Sequence, residues 1–144
     1  DKFYPDIYRA LNDVNRKLRM LYPDVDLPTS LIELVSVRVS QINGCGTCLS
    51  IHVPAARKAG VPENKLDALP AWRMVAEFTE QEKAALDLAE TLTTLPQGRD
   101  NSRAGAIACD VFAEEQVAAL EWAIIMINTY NRISIASGHP LISR

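Results

Sequence analysis

The chain has 144 residues, of which 48% are hydrophobic and 23% charged, and its net charge is −3 at pH 7. This length fits one domain with its own core, and the hydrophobic content excludes a disordered chain. The slight negative charge, without a basic run, argues against nucleic-acid binding, and no apolar stretch reaches the ~18 residues of a membrane span. We expect a globular protein with no nucleic-acid partner and no membrane partner.

The first two elements are predicted to be helices separated by a break. Residues 5–22 start with a proline and place apolar side chains at helical spacing, which is typical of an amphipathic helix. The apolar stripe consists of Ile7, Leu11, Val14, Leu18 and Leu21. After a break over Pro23–Pro28, Thr29 or Ser30 can cap a second helix, with Glu33 as the partner in a capping box. A purely capping role is therefore the alternative to a functional role for Glu33.

The second helix is apolar on most of its surface and is expected to be largely buried. Asn43-Gly44 is a helix-stop and turn signal, so a third helix is predicted to begin at or near Cys45 and to end near Lys58. An interior proline removes a backbone hydrogen bond and clashes with the preceding turn. We therefore expect a kink over residues 50–54.

The rest of the sequence also has helical periodicity and no strand pattern. A short helix is predicted from Pro62 to Pro70, and an apolar segment containing Trp72 follows. Thr79-Glu80-Gln81-Glu82 is a capping box. The helices expected from there on cover residues 80–95, 103–111 and 114–137. The sequence thus predicts an all-α fold of about seven or eight helices, in a single domain over residues 1–144.

Two cysteines and a histidine in the third helix form the candidate site. Cys45, Cys48 and His52 are three and four positions apart, which at about 100° per residue puts them within roughly 60° of one another on a helix surface. The reactive form of cysteine is the thiolate, which a helix N-terminus and a neighbouring histidine favour. A helix–turn–helix can fold Glu33 back against these residues. The four groups can then share a pocket suited to thiol redox chemistry.

The spacing of the two cysteines permits a disulfide but does not decide which thiol attacks a substrate. Residues three apart on a helix have Cα atoms about 5 Å apart, within the ~4.4–6.8 Å that a disulfide accepts. The helix dipole acts most strongly on the first turn, which favours Cys45. His52 is the i+4 neighbour of Cys48 and favours that thiol instead. Helix geometry leaves the choice open.

The cysteine count bears on both compartment and metal binding. Three cysteines, two of them close together, are typical of redox or metal chemistry in a reducing compartment. No secretory pattern precedes the first helix, so we expect a cytoplasmic protein. Zinc is the alternative, since the two thiolates, His52 and Glu33 would complete a tetrahedral set. Because no second Cys/His pair is present, we predict no metal.

Other chemically active residues have simpler interpretations. Cys109 lies among apolar neighbours and is expected to be a buried structural thiol, and His139, beside a proline, is expected to be a solvated tail residue. Trp72 and Trp122 are expected in the core. Three polar residues late in the long helix either satisfy buried backbone groups, hold an interface or line the redox pocket: Asn128, Asn131 and Arg132.

At the candidate site the sequence resembles the alkylhydroperoxidase D-like members of the carboxymuconolactone decarboxylase family. Their pattern is a Glu, eleven residues, Cys-x-x-Cys, three residues and a His, which Glu33, Cys45, Cys48 and His52 match. The segments SQINGCGTC, HVPAARKAG, AWR, FTEQEKAAL and INTYNR are also similar, so the resemblance covers roughly residues 28–136. One position departs, because Thr47 stands where the best-known members carry a second histidine.

The resemblance implies a cofactor-free peroxidase that forms a homo-oligomer, either a trimer or a hexamer. Cys48 would attack a hydroperoxide, Cys45 would close the disulfide, and His52 with Glu33 would relay protons. An external dithiol, thioredoxin-like or lipoyl, would then reduce the pair. One alternative is a lactone decarboxylase of the same broad family, whose chemistry has no need of two cysteines. The other is a redox-sensing or zinc-stabilised module without turnover.

Overall fold

A computed structural model describes residues 3–142, and the fold over these residues is all-α, as predicted. Seven α-helices and one 3₁₀ segment, Leu69–Met74, follow one another without a strand in this part of the chain. The helices are α1 (Pro5–Asp24), α2 (Thr29–Asn43), α3 (Gly46–Lys58), α4 (Glu63–Ala68), α5 (Glu80–Thr94), α6 (Arg103–Ala108) and α7 (Glu114–Ser137). None of the helices within residues 3–142 has the length and apolar character needed to cross a membrane.

Helix α2 lies at the centre of the fold, where it packs against α3, α5 and α7. Val35 and Val39 belong to one apolar cluster, which includes side chains of α1, α5 and α7. Leu34 and Val37 belong to a second cluster, with α3, α5 and the 3₁₀ segment. A helix that is apolar on opposite faces is buried on both. Glu33 is carried into the interior by this helix and is itself buried.

The predicted helix ends agree with the structure where a local signal marks them. Pro5 stands in the first turn of α1. Gly44 and Gly138 end α2 and α7 in the left-handed conformation, at φ 68° and 61°, which costs glycine little. At the start of α5, the Glu82 N–H donates to Thr79 Oγ1 and the Thr79 N–H donates to the Glu82 carboxylate, so the predicted capping box is present.

The prediction for α1 needs correction, and α3 is continuous where a kink is expected. Helix α1 continues beyond residue 22 to Asp24, and its apolar stripe is only partly covered, since Ile7 is 70% and Val14 41% exposed. Only Leu18 of the stripe is fully packed, because α1 contacts α7 along part of its length. The proline expected to kink α3 does not interrupt it, and the helix runs unbroken through Pro54 to Lys58.

Cys109 is exposed and not buried as predicted. Helix α6 was expected to reach residue 111 but ends at Ala108, so Cys109 is its C-cap. The inward positions of α6 are Ala104 and Ala108, four residues apart on one face. Cys109 is the next residue after Ala108, so its side chain is rotated off this inward face and points away from the core.

The two tryptophans differ in environment, so the core prediction is right for one of them only. Trp72 is 4% exposed, and its indole N–H donates to Glu90 Oε1 at 2.8 Å. Trp122 is 51% exposed. The reason is that α7 is apolar on nearly every side while only one side, which includes Leu120 and Ile124, faces the core.

Candidate active site

The turn between α2 and α3 places both cysteines at the start of α3. After Gly44, the Cys45 N–H donates to the Ser40 carbonyl at 3.0 Å. Cys45 is the N-cap of α3, and its sulfur accepts the Cys48 N–H at 3.3 Å. The Asn-Gly stop signal thus sets the position of Cys45, as the sequence predicted. Both sulfurs lie at the positive end of the α3 dipole.

A polar network of α7 holds this turn in place. The Asn43 amide donates to the side-chain oxygens of Asn128 and Asn131, at 2.9 Å each. Asn131, which is completely buried, donates in turn to Ser40 Oγ, and Arg132 donates to the Asn128 side chain. None of the three polar residues of α7 borders the cavity described below. They therefore do not line the pocket, and their contacts with Asn43 and Ser40 give them a role in supporting the turn, which was not among the roles considered from sequence.

Cys45 and Cys48 form a disulfide in this structure, with Cα atoms 5.3 Å apart. Both residues are buried, at 1% and 3% exposure. This pairing is what the spacing of the two residues allowed. No set of three or more His, Cys, Asp or Glu side chains within residues 3–142 is arranged to hold a metal ion.

Glu33 binds His52 and does not act as a capping residue. The Glu33 Oε2 and His52 Nδ1 atoms are 2.7 Å apart, across 19 sequence positions. Helix α2 begins directly after Pro28, which makes no side-chain cap, and Thr29 is already helical. A capping box needs a non-helical capping residue, so the capping alternative for Glu33 is wrong. With Nδ1–H donated to the carboxylate, Nε2 is the nitrogen of a neutral His52 that can accept a proton.

The two sulfurs border different cavities. Cys48, His52 and Glu33 line a cavity of about 590 Å³ between α1, α2, α3 and α7. Cys45 is absent from that lining and borders a smaller recess of about 410 Å³ beneath the segment after α7. Cys48 is therefore the sulfur that faces the larger cavity. Helix geometry alone could not make this distinction.

The segment 138–142, which we call the C-terminal strap, crosses the start of α3. Thr47 Oγ1 donates to the carbonyl of His139 at 2.7 Å and is 3.1 Å from that of Pro140. The Ile142 N–H donates to Ser50 Oγ at 3.1 Å. Sequence analysis placed His139 in a solvated tail; it is exposed, but its carbonyl is held by Thr47 and it lines the larger cavity. No signal in the sequence links residues 92 positions apart.

We expect Thr47→Val to loosen the strap while leaving the fold intact. Valine keeps the shape of threonine but cannot donate, and one lost hydrogen bond is worth about 1 kcal/mol. Hydrogen exchange of the Ile142 amide should accelerate by about fivefold, as measured by mass spectrometry or NMR. Thr94→Val is the matched control, because the Thr94 hydroxyl bonds only to the Glu90 carbonyl of its own helix. Equal exchange in the two variants would contradict the role assigned to Thr47.

Tyr22 of α1 is the main titratable group of the cavity that sequence analysis missed. Burial raises its pKa to about 12, and the negative charge of Glu33 acts in the same direction, while Arg19 opposes the rise. The phenol therefore keeps its proton at neutral pH and is a hydrogen-bond donor in the cavity wall. Its position in the amphipathic helix was assigned to packing, and nothing in the pattern pointed to the site.

Comparisons with known proteins bear on the family and the fold of the chain. The model of the carboxymuconolactone decarboxylase family matches residues 5–91. The uncharacterized protein YdfG of Bacillus subtilis (strain 168) is 39% identical over 112 residues, which are 78% of this chain and 76% of YdfG. The crystal structure of ATU0492 from Agrobacterium tumefaciens, a protein of unknown function proposed to be the antioxidant defence protein AhpD, superposes with a TM-score of 0.88. It is 26% identical, and the match covers 99% of this chain and 95% of that one.

Proposed function

The chain belongs to the carboxymuconolactone decarboxylase family, and from that premise we propose that it is a thiol-dependent peroxidase that reduces organic hydroperoxides. One observation carries the proposal. Cys48, which is disulfide-bonded to Cys45, lines the same cavity as the Glu33–His52 pair. A nucleophile, a base and a group that orients the base are the parts that thiol catalysis needs. The antioxidant role proposed for the Agrobacterium protein supports the same chemistry.

In the first step, His52 takes the proton of the reduced Cys48 thiol, with Glu33 holding the imidazole in the required tautomer. The Cys48 thiolate attacks the outer oxygen of the hydroperoxide, and the O–O bond breaks. The inner oxygen leaves as an alcohol after it receives a proton from His52, and Cys48 becomes a sulfenic acid. The peroxide is reduced by two electrons and the sulfur is oxidised by two.

In the second step, the Cys45 thiol attacks the sulfenic acid, forming the disulfide and releasing water. An external dithiol then exchanges with the disulfide and returns both cysteines to thiols. The reaction needs no bound cofactor. The reductant, of thioredoxin-like or lipoyl type, belongs to the proposal and supplies the two electrons of each turnover.

Assembly as a homo-oligomer is part of the same proposal. The outer face of α7 leaves Trp122, Ile125 and Ile135 about half exposed, at 51%, 47% and 51%. An apolar surface of this kind is commonly covered by another protein surface.

The proposal is tested by counting thiols in the Cys109→Ser protein, which removes the exposed third cysteine. One equivalent of cumene hydroperoxide should consume both remaining thiols within minutes, and peptide mapping should find the Cys45–Cys48 disulfide. Added dithiothreitol should then support many turnovers. Thiols that survive the peroxide would overturn the proposal, whereas oxidation without turnover would favour the redox-sensing alternative.

A further inference from the structure

Tyr22 presents an unused hydrogen-bond donor to the larger cavity. The residue is 8% exposed and lines the cavity with Cys48 and Glu33, and its hydroxyl has no hydrogen-bond partner within residues 3–142. Asn101 Oδ1 is the one sealed side-chain polar atom without a partner in this part of the chain. Since the Tyr22 hydroxyl also lacks a partner but is not sealed, solvent can reach it. A largely buried phenol with a free hydroxyl is suited to donate a hydrogen bond to a bound molecule.

Arg19 stands one turn before Tyr22 on the same face of α1. The other arginines of this helix are paired, Arg9 with Asp6 and Arg16 with Asp13, whereas no carboxylate of residues 3–142 pairs with Arg19. Arg19 lines the cavity. Its guanidinium is thus available to an anion that enters from solvent.

The charged residues of the cavity come from different helices, Arg19 from α1 and Glu33 from α2. Among the lining residues Arg19 is the one Lys or Arg, and Glu33 is the one carboxylate, which is already bonded to His52. Burial raises the pKa of both Tyr22 and Tyr130, and the charge of Arg19 opposes the rise at both phenols. Glu33 acts on Tyr22. Tyr22 is therefore close enough to feel the charges of both Arg19 and Glu33.

Part of the cavity wall is apolar. Ile32 of α2 and Met126 and Ile127 of α7 line it, and all three are buried in the core. A cavity of about 590 Å³ is within the size range of sites for small organic molecules. A molecule that fills it has an apolar body, a reactive group near Cys48 and an anionic group near Arg19.

We propose that the cavity takes an amphipathic hydroperoxide with a carboxylic acid head group, such as a medium-chain fatty acid hydroperoxide. Arg19 binds the carboxylate, and the Tyr22 hydroxyl donates to an oxygen of the bound molecule. This names the substrate class of the proposed peroxidase. It rests on the proposed function, because that function is the reason why the bound molecule carries a hydroperoxide. The recognition of the acid does not depend on turnover and is measured separately.

The test is a binding measurement on the oxidised protein, with octanoate and methyl octanoate as unreactive probes. By calorimetry, the wild type should bind octanoate about fivefold or more tightly than the ester. Arg19→Gln should abolish this preference, and Arg19→Lys should restore part of it. Arg16→Gln is the matched control, one turn earlier on α1 and outside the cavity lining. Tyr22→Phe should weaken the binding of both probes.

Equal affinity of the wild type for acid and ester would overturn the inference. So would an acid preference that Arg19→Gln leaves unchanged, because the acid would then bind elsewhere. A peroxidase assay separates the two proposals. If Arg19-dependent acid binding is found but no hydroperoxide is turned over, the acid site stands and the peroxidase proposal fails. If turnover is found without acid preference, the peroxidase stands and the acid site fails.

Discussion

Replacing Cys48 with serine is expected to lower peroxidase turnover by at least about a thousandfold, because a serine hydroxyl cannot replace the thiolate as nucleophile toward an O–O bond. Cys48 is the sulfur that faces the larger cavity and shares it with His52. Steady-state consumption of cumene hydroperoxide with dithiothreitol measures the loss. The unfolding temperature of the reduced variant should stay close to that of the reduced wild type, since oxygen for sulfur is a small change in volume.

Cys45→Ser is the matched comparison for this variant. It keeps the attacking thiol, so it should react once with peroxide and stop at a sulfenic acid on Cys48, which dimedone traps for mass spectrometry. Both variants carry Cys109→Ser to remove the exposed thiol. Trapping of a sulfenic acid on Cys45 in the Cys48→Ser protein would reverse the assignment of the two sulfurs. Lactone decarboxylation that survives Cys48→Ser would favour the decarboxylase alternative.

Removing the imidazole in His52→Asn is expected to cost about a hundredfold or more in turnover, the range of general acid–base catalysis. His52 lies 2.7 Å from Glu33 through Nδ1, which leaves Nε2 for proton transfer. In the variant the Cys48 thiol has no base, and a free thiol ionises at a pKa of about 8.5. Activity should therefore recover as the pH is raised through that value. A loss of activity that is the same at every pH would point to a structural role.

Glu33→Gln tests the orienting half of the pair. The amide keeps the size of the carboxylate but loses its charge and can donate to Nδ1, which would select the wrong tautomer of His52. We expect turnover to fall by about tenfold or more, less than in His52→Asn. Glu115→Gln, at an exposed position of α7, is the control and should be unaffected. A double variant that loses no more than His52→Asn alone would show that Glu33 acts through His52.

The sequence by itself determined the parts of this protein that depend on neighbours along the chain. A proline at the start of α1, the glycines after α2 and α7 and the capping box of α5 act within one helical turn, so they mark helix ends wherever the helix packs. The same reasoning puts Cys45 at or near the start of α3 and within disulfide distance of Cys48, where the structure has it as the N-cap. The place of Glu33 beside His52 does not follow from local spacing alone, since its distance from Thr29 or Ser30 also suits a capping box.

Tertiary structure decided which residues from distant parts of the chain lie next to the cysteines, Glu33 and His52. The larger cavity is lined by Cys48 and not by Cys45, Thr47 bonds to the C-terminal strap 92 positions away, and Arg19 and Tyr22 of α1 line the same cavity. Tertiary structure also decided that Trp122 and Cys109 are exposed. Hydrophobic periodicity tells which side chains are apolar, but a helix that is apolar all round has several faces that could be buried. The burial of one face is fixed by partners distant in sequence, and no local pattern records them.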